Sequence, residues 1–510
     1  MTDDRAWWQS GVIYQVYPRS FQDSDGDGIG DLPGVIARLD HFAWLGVDAI
    51  WLSPIFPSPM ADFGYDISDY TDVAPVFGTL DDLDRLVAGA HARDIRVIFD
   101  FVPNHTSDQH PWFVASRSSR DDPKRDWYLW ADPRPDGSPP NGWGSMFGGP
   151  AWTLDEATGQ YYYHAFLAEQ PDLDWRNPAV VEAMLGVLRF WFERGIDGFR
   201  IDVLWLLLKD TDWANAEDPA RPWAGRADLP ELAEIVSRMR AVADAYDGRV
   251  LIGEIYLPIE RVVAYYGTAE RPGIQLPFNF QLITLPWEAA RIRAAIDAYE
   301  AALPPGGWPN WVLGNHDQSR IATRVGDAQA RVAAMLLLTL RGTPTVYYGD
   351  EIGMCDVVVP PDRRVDPAEP SRDPVRSPMA WDGSPSGGFT TGRPWLPTLD
   401  DPVVSVAAEQ DDPRSILALY RGLLRLRRAE PALAIGSYEG LDGPADTLVY
   451  RRRHEGRDIL VALNLGSRRR RVPVPMTAGA TVLLDTGLRR AGEAVSGAVD
   501  LAADEGVIVG

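Results

Sequence analysis

The sequence is poor in the features that mark secreted and membrane-embedded proteins. Its 510 residues include one cysteine, Cys355, so no disulfide can form within the chain and nothing requires an oxidising compartment. No run of about 18 apolar residues occurs, so no segment is predicted to span a bilayer. The N-terminal residues MTDDRAWWQSG lack the apolar core of a signal peptide. These absences predict a cytoplasmic protein.

Basic residues are also scarce. Lysine and arginine number 49 against 73 aspartates and glutamates, which gives a net charge of −24 at pH 7. Nucleic acids and anionic membranes both require basic surface, so neither is an expected partner. The expected ligand is a small neutral or cationic molecule. Aromatic residues are plentiful, with 19 Trp, 18 Tyr and 16 Phe, and some of these rings could stack on sugars. Nothing in the composition predicts an oligomeric state.

Short apolar strands alternate with amphipathic helices over most of the chain. Eight such repeats predict an α/β fold, a (β/α)₈ TIM barrel. The helices are expected near 31–45, 79–92, 178–195, 229–246 and 415–428. The strands are expected at 11–21, 47–56, 95–105, 198–203, 249–255, 274–280, 310–317 and 342–351.

Two stretches depart from this alternation. Residues 106–175 are rich in Pro, Gly, Trp and Tyr, with a probable hairpin at 161–166, and they predict a domain inserted after strand three. From about residue 431 the chain changes to short strands separated by turn residues, which predicts a C-terminal antiparallel β domain. The predicted division is therefore a barrel of residues 1–105 and 176–430, an inserted domain of 106–175 and a C-terminal domain of 431–510.

Charged and polar side chains recur where the predicted barrel strands end. The active sites of such barrels lie at the C-terminal ends of the strands. Carboxylates on several strand ends, beside arginine or histidine, predict a site of the glycosidase type. The residues concerned are Asp62, Tyr65, Asp100, His105, Arg200, Asp202, Glu254, His316 and Asp317.

The stretch GIDGFRIDV, residues 195–203, places Arg200 two positions before Asp202, and therefore on the same side of a strand. A guanidinium there would keep the carboxylate ionised, which is the form a nucleophile requires. The alternative is a purely structural pair at the rim of the barrel.

A second acidic motif, DSDGDGIGD, follows the first predicted strand. Asp23, Asp25 and Asp27 occupy alternate positions, and Asp31 follows four residues later. With glycines in the turn, such residues can surround a hard cation with oxygens. An EF-hand is excluded because its twelfth position is Gly34 rather than Glu. The alternative is a solvated acidic turn.

Five segments together resemble the α-amylase superfamily of glycoside hydrolases, family 13: DFVPNH, GFRIDV, GEIY, GNHDQ and GTPTVYYGDE. QPDLDW, residues 170–175, is similar to the QPDLNW motif of the oligo-1,6-glucosidase and α-glucosidase branch, with Asp174 in place of Asn. The resemblance covers essentially the whole chain.

The resemblance implies a retaining double displacement. Asp202 would be the nucleophile, Glu254 the general acid and base, and Asp317 the carboxylate that stabilises the distorted sugar. Glu254 lies in an apolar strand, so desolvation is expected to favour its protonated form in the first step. The acidic pair Asp350 and Glu351, in YYGDE, is expected to be structural.

The resemblance also implies the ligands of a glucose-sized pocket. Asp62 and Arg376 would close its inner end, so that cleavage removes one terminal glucose, and Phe166 and Phe147 would form aromatic walls. The implied substrate-binding residues are Asp62, Tyr65, His105, Phe166, Arg200, His316 and Arg376. A structural Ca²⁺, or Mg²⁺, would be bound by Asp23, Asp25, Asp27, the Ile29 carbonyl and Asp31. No organic cofactor is expected.

The expected activity is that of an exo-acting α-glucosidase on short neutral α-glucosides. In the branch that the chain resembles, valine after the nucleophile accompanies α-1,6 activity, and here that residue is Val203. One alternative is a transglucosylase or isomerase, such as a trehalose synthase or a sucrose-acting enzyme. Another is an inactive relative that binds or accompanies a transporter; the presence of Asp202, Glu254 and Asp317 argues against it.

Overall fold

The computed structural model describes residues 6–213, 227–399, 401, 403–476 and 479–510. A closed barrel of eight parallel strands forms its centre, in the order β1-β11-β10-β9-β8-β7-β3-β2. The strands in chain order are β1 (Ile13–Val16), β2 (Ala49–Leu52), β3 (Arg96–Phe101), β4 (Trp130–Ala131), β5 (Trp152–Asp155), β6 (Gln160–Tyr163), β7 (Gly198–Ile201), β8 (Val250–Gly253), β9 (Leu276–Asn279), β10 (Asn310–Val312), β11 (Thr343–Tyr347), β12 (Ser437–Leu441), β13 (Thr447–His454), β14 (Arg457–Asn464), β15 (Arg470–Pro473), β16 (Val482–Asp485), β17 (Ala498–Leu501) and β18 (Gly506–Val509).

Helices follow the barrel strands and pack around them. In chain order they are α1 (Trp7–Ser10), α2 (Leu32–Ala37), α3 (Leu39–Leu45), α4 (Leu80–His91), α5 (Pro111–Ser118), α6 (Pro178–Glu193), α7 (Leu232–Asp244), α8 (Ile259–Val262), α9 (Gln281–Thr284), α10 (Ala289–Ala302), α11 (Ile321–Val325), α12 (Asp327–Thr339), α13 (Val406–Gln410), α14 (Ile416–Ala429) and α15 (Pro431–Ile435). Within the described ranges, no helix is both long and apolar enough to cross a lipid bilayer.

The predicted barrel is confirmed, and each predicted strand overlaps an observed one. The observed strands are shorter, because the predicted segments continued into the loops that carry the polar residues. Helix α4 begins with a capping box, in which the Thr79 and Asp82 side chains are each bonded to the other's backbone N–H. The single helix expected over 31–45 is instead two helices, α2 and α3, because Arg38 leaves the helical conformation at φ −106° and ψ 9°.

The two stretches outside the alternation form sheets of their own. Residues 106–175 contain α5 and a three-stranded sheet in the order β4-β6-β5. Its hairpin pairs Trp152–Asp155 with Gln160–Tyr163, so the turn precedes the position expected from the sequence. After α15, antiparallel strands form a five-stranded sheet, β12-β13-β14-β18-β16, and the pair β15-β17.

The register of three adjacent barrel strands positions charged residues side by side. In β3 and β7, Asp100 lies opposite Arg200, and Arg200 in turn lies opposite Ile252 of β8. Asp202 and Glu254 directly follow the ends of β7 and β8. The barrel therefore brings Asp100, Arg200, Asp202 and Glu254 to one level at its C-terminal end.

Candidate active site

A cavity of about 520 Å³ opens at the C-terminal end of the barrel. All predicted catalytic and substrate-binding residues line it except Arg200 and Arg376, which lie behind its wall. Its lining is Asp62, Tyr65, His105, Met146, Phe147, Phe166, Asp202, Val203, Trp205, Glu254, Tyr256, His316, Asp317, Gln318, Ala368, Glu369, Pro370 and Arg372.

Arg200 lies beneath the cavity, 1% exposed, and joins three carboxylates. Its Nη1 donates to Asp202 Oδ1 at 2.6 Å and to Asp100 Oδ1 at 2.8 Å. Its Nη2 is 2.7 Å from Glu254 Oε2. The sequence predicted the contact with Asp202 but not the sharing of one guanidinium among three carboxylates. The strand register creates that sharing.

The three carboxylates carry more negative charge than one guanidinium can balance. Burial raises the pKa of Asp202, and the neighbouring carboxylates of Glu254 and Asp100 raise it further against the opposing effect of Arg200. Burial likewise raises the pKa of Asp100 to about 6, although Arg200 opposes the shift. The expectation that Arg200 alone would keep Asp202 ionised is therefore incomplete.

The surroundings of Glu254 differ from the expectation. The apolar strand was expected to desolvate its carboxyl group, but Glu254 follows the strand and its side chain turns toward Arg200. Its Oε2 also accepts a hydrogen bond of 2.9 Å from the backbone N–H of Val203. Val203 adopts φ 35° and ψ 43°, a left-handed conformation that is unusual for a β-branched residue. A strained turn after Asp202 thus contributes a donor to the site.

Asp317 lies among cations. Its Oδ1 is 3.0 Å from Arg376 Nη2 and 3.3 Å from Arg372 Nη1. Burial would raise the pKa of Asp317, but His316, Arg372 and Arg376 together lower it well below its usual range. Unlike Asp202, this carboxylate is held firmly in its ionised form.

The arginine that pairs with Asp62 in the cavity lining is Arg372, whereas Arg376, which was expected beside Asp62, does not line the cavity. Arg372 Nη2 donates to Asp62 Oδ1 at 2.6 Å, and Arg372 lines the cavity. Arg376 is fully buried behind Asp317, where its Nε donates to the His316 carbonyl at 2.9 Å. The short helical turn Asp373–Arg376 separates the two arginines, and the SRDPVR segment gives no indication of which one faces the cavity.

Tyr65 and His316 contact each other in the cavity wall. Their rings stack with centroids 5.4 Å apart, so one face of Tyr65 is covered by protein. The Tyr65 hydroxyl is 2.6 Å from His316 Nε2 and donates to Asp100 Oδ2 at 3.0 Å. Gln15 Nε2, which the sequence did not single out, is 2.9 Å from His316 Nδ1. Both nitrogens of His316 therefore have protein partners.

The inserted segment 106–175 contributes aromatic side chains to the cavity lining. Phe166 meets His105 edge to face at 5.2 Å, and Phe147 meets Phe166 at 5.5 Å. Gln170 Nε2 donates to Asp62 Oδ2 at 3.1 Å and is also 3.1 Å from His105 Nε2. Gln170 opens the QPDLDW motif, and its contact with the site was not predicted.

The acidic loop after β1 lies apart from the cavity. Asp23, Asp25 and Asp27 each offer a carboxylate oxygen, and these oxygens all lie within 4.8 Å of one another. Asp31 is not among them; its Oδ1 accepts from Gly34 N at 2.7 Å as the N-cap of α2. Its Oδ2 accepts from Ser24 N at 3.0 Å and from Ser24 Oγ at 2.8 Å. Three of the four predicted aspartates, Asp23, Asp25 and Asp27, therefore form a cluster. The Ile29 carbonyl remains a predicted ligand.

Asp350 and Glu351 lie outside the cavity lining. Glu351 Oε1 accepts from the Tyr14 hydroxyl at 2.6 Å, and Asp350 lies 3.9 Å from Arg320. These contacts agree with the structural role expected for the pair.

The chain is similar to known proteins along nearly its whole length. The model of the alpha-amylase catalytic domain matches residues 15–436, and a model called DUF3459, a domain of unknown function, matches residues 439–508. A probable alpha-glucosidase of Rhizobium meliloti is 42% identical over 93% of this chain and 92% of its own length. An oligo-1,6-glucosidase of Heyndrickxia coagulans is 38% identical over 90% of this chain and 92% of its own length.

Solved structures extend the likeness to enzymes that transfer glucosyl groups. The alpha-glucosyl transfer enzyme XgtA is 40% identical, with a TM-score of 0.93 over 99% of both chains. The trehalulose synthase MutB of Pseudomonas mesoacidophila is 36% identical, with a TM-score of 0.93 over 99% of both chains.

Because the pKa values of Asp202 and Asp317 shift in opposite directions, amide substitutions at these positions are expected to have opposite effects on stability. At pH 7, Asp202→Asn should raise the unfolding temperature by roughly 2–4 °C, the shift that about 1 kcal/mol produces in a large domain, since it removes a buried carboxylate that its neighbours repel. Asp317→Asn should lower it by a similar amount, because two arginines lose an anionic partner. Thermal unfolding of the two variants and the wild type measures both shifts.

The direction of each pKa shift also determines how the two changes in unfolding temperature depend on pH. A raised pKa means that stability is fully present at low pH and is lost as the pH rises, and a lowered pKa means the reverse. The gain from Asp202→Asn should therefore shrink as the pH falls toward 4, the usual carboxyl range, whereas the loss from Asp317→Asn should persist to about pH 4 and shrink only below it. A destabilised Asp202→Asn variant at pH 7 would contradict this account of the site.

Proposed function

The chain belongs to the α-amylase family, and from that premise we propose that it is a retaining exo-α-glucosidase that removes terminal glucose from short neutral α-glucosides. One observation carries the proposal. Asp202 and Glu254 bond to the two terminal nitrogens of one guanidinium, in a cavity whose inner end is closed by the Arg372–Asp62 pair. Two carboxyl groups so close together favour direct displacement over the wider inverting arrangement.

In the first step, an oxygen of the Asp202 carboxylate attacks the anomeric carbon of the terminal glucose. The bond from that carbon to the glycosidic oxygen breaks, and the leaving oxygen takes the proton of Glu254. In the second step, Glu254 removes a proton from water, whose oxygen attacks the anomeric carbon and displaces Asp202. Esterification of Asp202 removes its charge, which leaves Arg200 with Asp100 and Glu254 as its charged partners.

The closed inner end supports removal of one sugar at a time. Arg372 contacts Asp62 and Asp317 at once and packs over the Phe147 ring, 5.1 Å from its centroid. A glucose that lies beside Asp317 therefore meets an ion pair beyond its non-reducing end. Such a charged wall leaves hydroxyl partners for one ring and no passage for a longer chain.

The charge of the lining supports a neutral substrate. Five carboxylates line the cavity, namely Asp62, Asp202, Glu254, Asp317 and Glu369, while Arg372 is already paired with two of them. A phosphorylated sugar would meet net negative charge and find no free cation among the described lining residues.

A second candidate is glucosyl transfer, in which a sugar hydroxyl replaces water in the second step. The apolar side chains of Val203, Trp205, Tyr256 and Phe166 line the cavity and support it, because they would limit the access of water. The names of XgtA and MutB favour it as well. Val203 favours α-1,6 linkages over α-1,4 under either candidate.

Product analysis separates these candidates. We expect purified protein to release glucose from maltose and isomaltose, with the higher kcat/KM for isomaltose, as resolved by anion-exchange chromatography over time. The Asp202→Asn variant, prepared in parallel, controls for contaminating enzymes and should lose at least about 10⁴-fold in rate, as removal of a nucleophile does. If these substrates, or sucrose or trehalose, instead gave new disaccharides at constant total sugar, the result would contradict hydrolysis as the main activity. It would support glucosyl transfer.

The loop of Asp23, Asp25 and Asp27 is proposed to bind a structural Ca²⁺, with Mg²⁺ as the alternative ion. Its donors are carboxylate oxygens, which hard cations prefer. Burial and the charges of Asp25 and Asp23 raise the pKa of Asp27, so a bound cation would relieve repulsion within the cluster. Asp31 would support the ion indirectly, through its hydrogen bonds to Ser24 and Gly34.

Addition of Ca²⁺ to chelator-treated protein is expected to raise its unfolding temperature. At a hundred times the dissociation constant the gain is about 3 kcal/mol, which calorimetry detects readily. Asp27→Asn should weaken this response, whereas Asp81→Asn, a substitution of an exposed aspartate on α4, should preserve it. An unfolding temperature that is the same with chelator and with Ca²⁺ would favour the solvated acidic turn.

A further inference from the structure

A buried polar cluster lies directly behind His105 and takes no part in the mechanism above. It consists of Lys209, Asn104 and Asp172, and all three side chains are buried. Lys209 follows the barrel strand β7, Asn104 follows β3, and Asp172 belongs to the QPDLDW motif. Lys209 Nζ forms an ion pair with Asp172 Oδ2 and donates to Asn104 Oδ1 at 2.6 Å.

The two charges fix the orientation of the Asn104 amide. Its oxygen faces the Lys209 ammonium, and its Nδ2 donates to Asp172 Oδ2 at 3.0 Å. If the amide were flipped, its NH₂ group would face a cation and its oxygen would face an anion. Both contacts would be repulsive in a site without water to relieve them. Lys209 and Asp172 therefore determine which end of the amide faces the neighbouring histidine.

The end of the Asn104 amide that faces His105 is its NH₂ group, a hydrogen-bond donor. Asn104 Nδ2 lies 3.1 Å from His105 Nδ1, so Nδ1 must accept the hydrogen bond and carry no proton. At the other ring nitrogen, the Tyr65 carbonyl oxygen lies 3.1 Å from Nε2 and can only accept. The proton of a neutral His105 consequently belongs on Nε2.

Gln170 is compatible with this assignment. Its Oε1 accepts from Leu167 N at 3.1 Å, which directs its NH₂ group toward Asp62 Oδ2 and the neighbourhood of His105 Nε2. Since His105 Nε2 already carries a proton, the Gln170 amide donates to the carboxylate. Burial and the nearby Lys209 charge lower the pKa of His105, although Asp172 and Asp62 oppose them, so the ring is neutral.

We propose that Asn104, held between Lys209 and Asp172, is a positioning residue that keeps His105 as the neutral tautomer protonated on Nε2. His105 then donates its Nε2–H to the Tyr65 carbonyl, which fixes the ring beside Tyr65 and Asp62 in the cavity lining. That the ring so held contacts a sugar rests on the function proposed above; the tautomer itself does not. Asp172 of the QPDLDW motif thereby helps to determine which nitrogen of His105 carries the proton.

Nitrogen NMR of the wild-type protein, labelled with ¹⁵N-histidine, tests the tautomer directly. His105 should show a protonated Nε2 and an unprotonated Nδ1. His164 is an internal reference of the opposite kind, because its Nδ1 lies 2.8 Å from the Phe166 carbonyl and must carry the proton. His105→Gln and His164→Gln variants assign the two sets of signals. A protonated Nδ1 at His105 in the wild type would overturn the proposal.

Asn104→Asp tests the positioning role, because it places carboxylate oxygens opposite His105 Nδ1. We expect the proton to appear on Nδ1, together with a rise of roughly tenfold in KM for the α-glucoside and a smaller change in kcat, as the loss of one hydrogen bond predicts. The matched control is Asn141→Asp, another buried asparagine, whose Oδ1 instead accepts from Trp143 N and Trp152 Nε1. This control should leave the His105 signals unchanged.

If Asn104→Asp does not fold, Lys209→Met removes one of the two charges that orient the amide, and the His105 signals should then report a mixture of tautomers. A His105 tautomer that is unchanged in a folded Asn104→Asp or Lys209→Met variant would refute the positioning role. The spectra need no turnover, so a protein that shows the expected tautomers but acts on no α-glucoside would overturn the proposed function alone.

Discussion

The site depends on the sharing of one buried guanidinium among three carboxylates. Arg200 reaches Asp100, Asp202 and Glu254 because the register of β3, β7 and β8 sets these residues at one level. Without that cation, three carboxyl groups could not remain charged so close together in a buried place. With it, their charges are only partly compensated, which leaves the site sensitive to the loss of any one charge. The covalent bond proposed at Asp202 would be such a loss.

The second group of charges behaves differently. Arg372 and Arg376 surround Asp317, and Arg372 also holds Asp62 and Asp366. The pKa of Asp202, beside Arg200, is therefore raised, whereas that of Asp317, beside Arg372 and Arg376, is lowered. Residues of the inserted segment complete both sides, because Gln170 contacts Asp62, and Asp172 orients Asn104 behind His105. Under the proposed function, bond-making chemistry and sugar positioning would belong to different parts of one cavity.

The sequence predicted the barrel, the strand ends and the residues that meet there, because apolar periodicity and polar strand ends are local patterns. It did not predict what depends on side-chain direction or on partners distant in sequence. Arg372 and Arg376 are four residues apart in one motif, yet one faces the cavity and the other lies behind it. Glu254 was expected in apolar surroundings and instead faces Arg200 across the β7–β8 register. Asp31 was expected beside a cation and also caps α2, a second use of its oxygens that spacing alone does not reveal.

The central claim is that Asp202 forms a covalent bond to glucose. A 5-fluoro-α-glucosyl fluoride tests it most directly, because its good leaving group allows the ester to form while its ring fluorine slows the release. After incubation and proteolysis, mass spectrometry should find one fluoroglucosyl group on the peptide that contains Asp202, with fragment ions that assign it to this residue. A glucosyl group attached to any other residue would contradict the account.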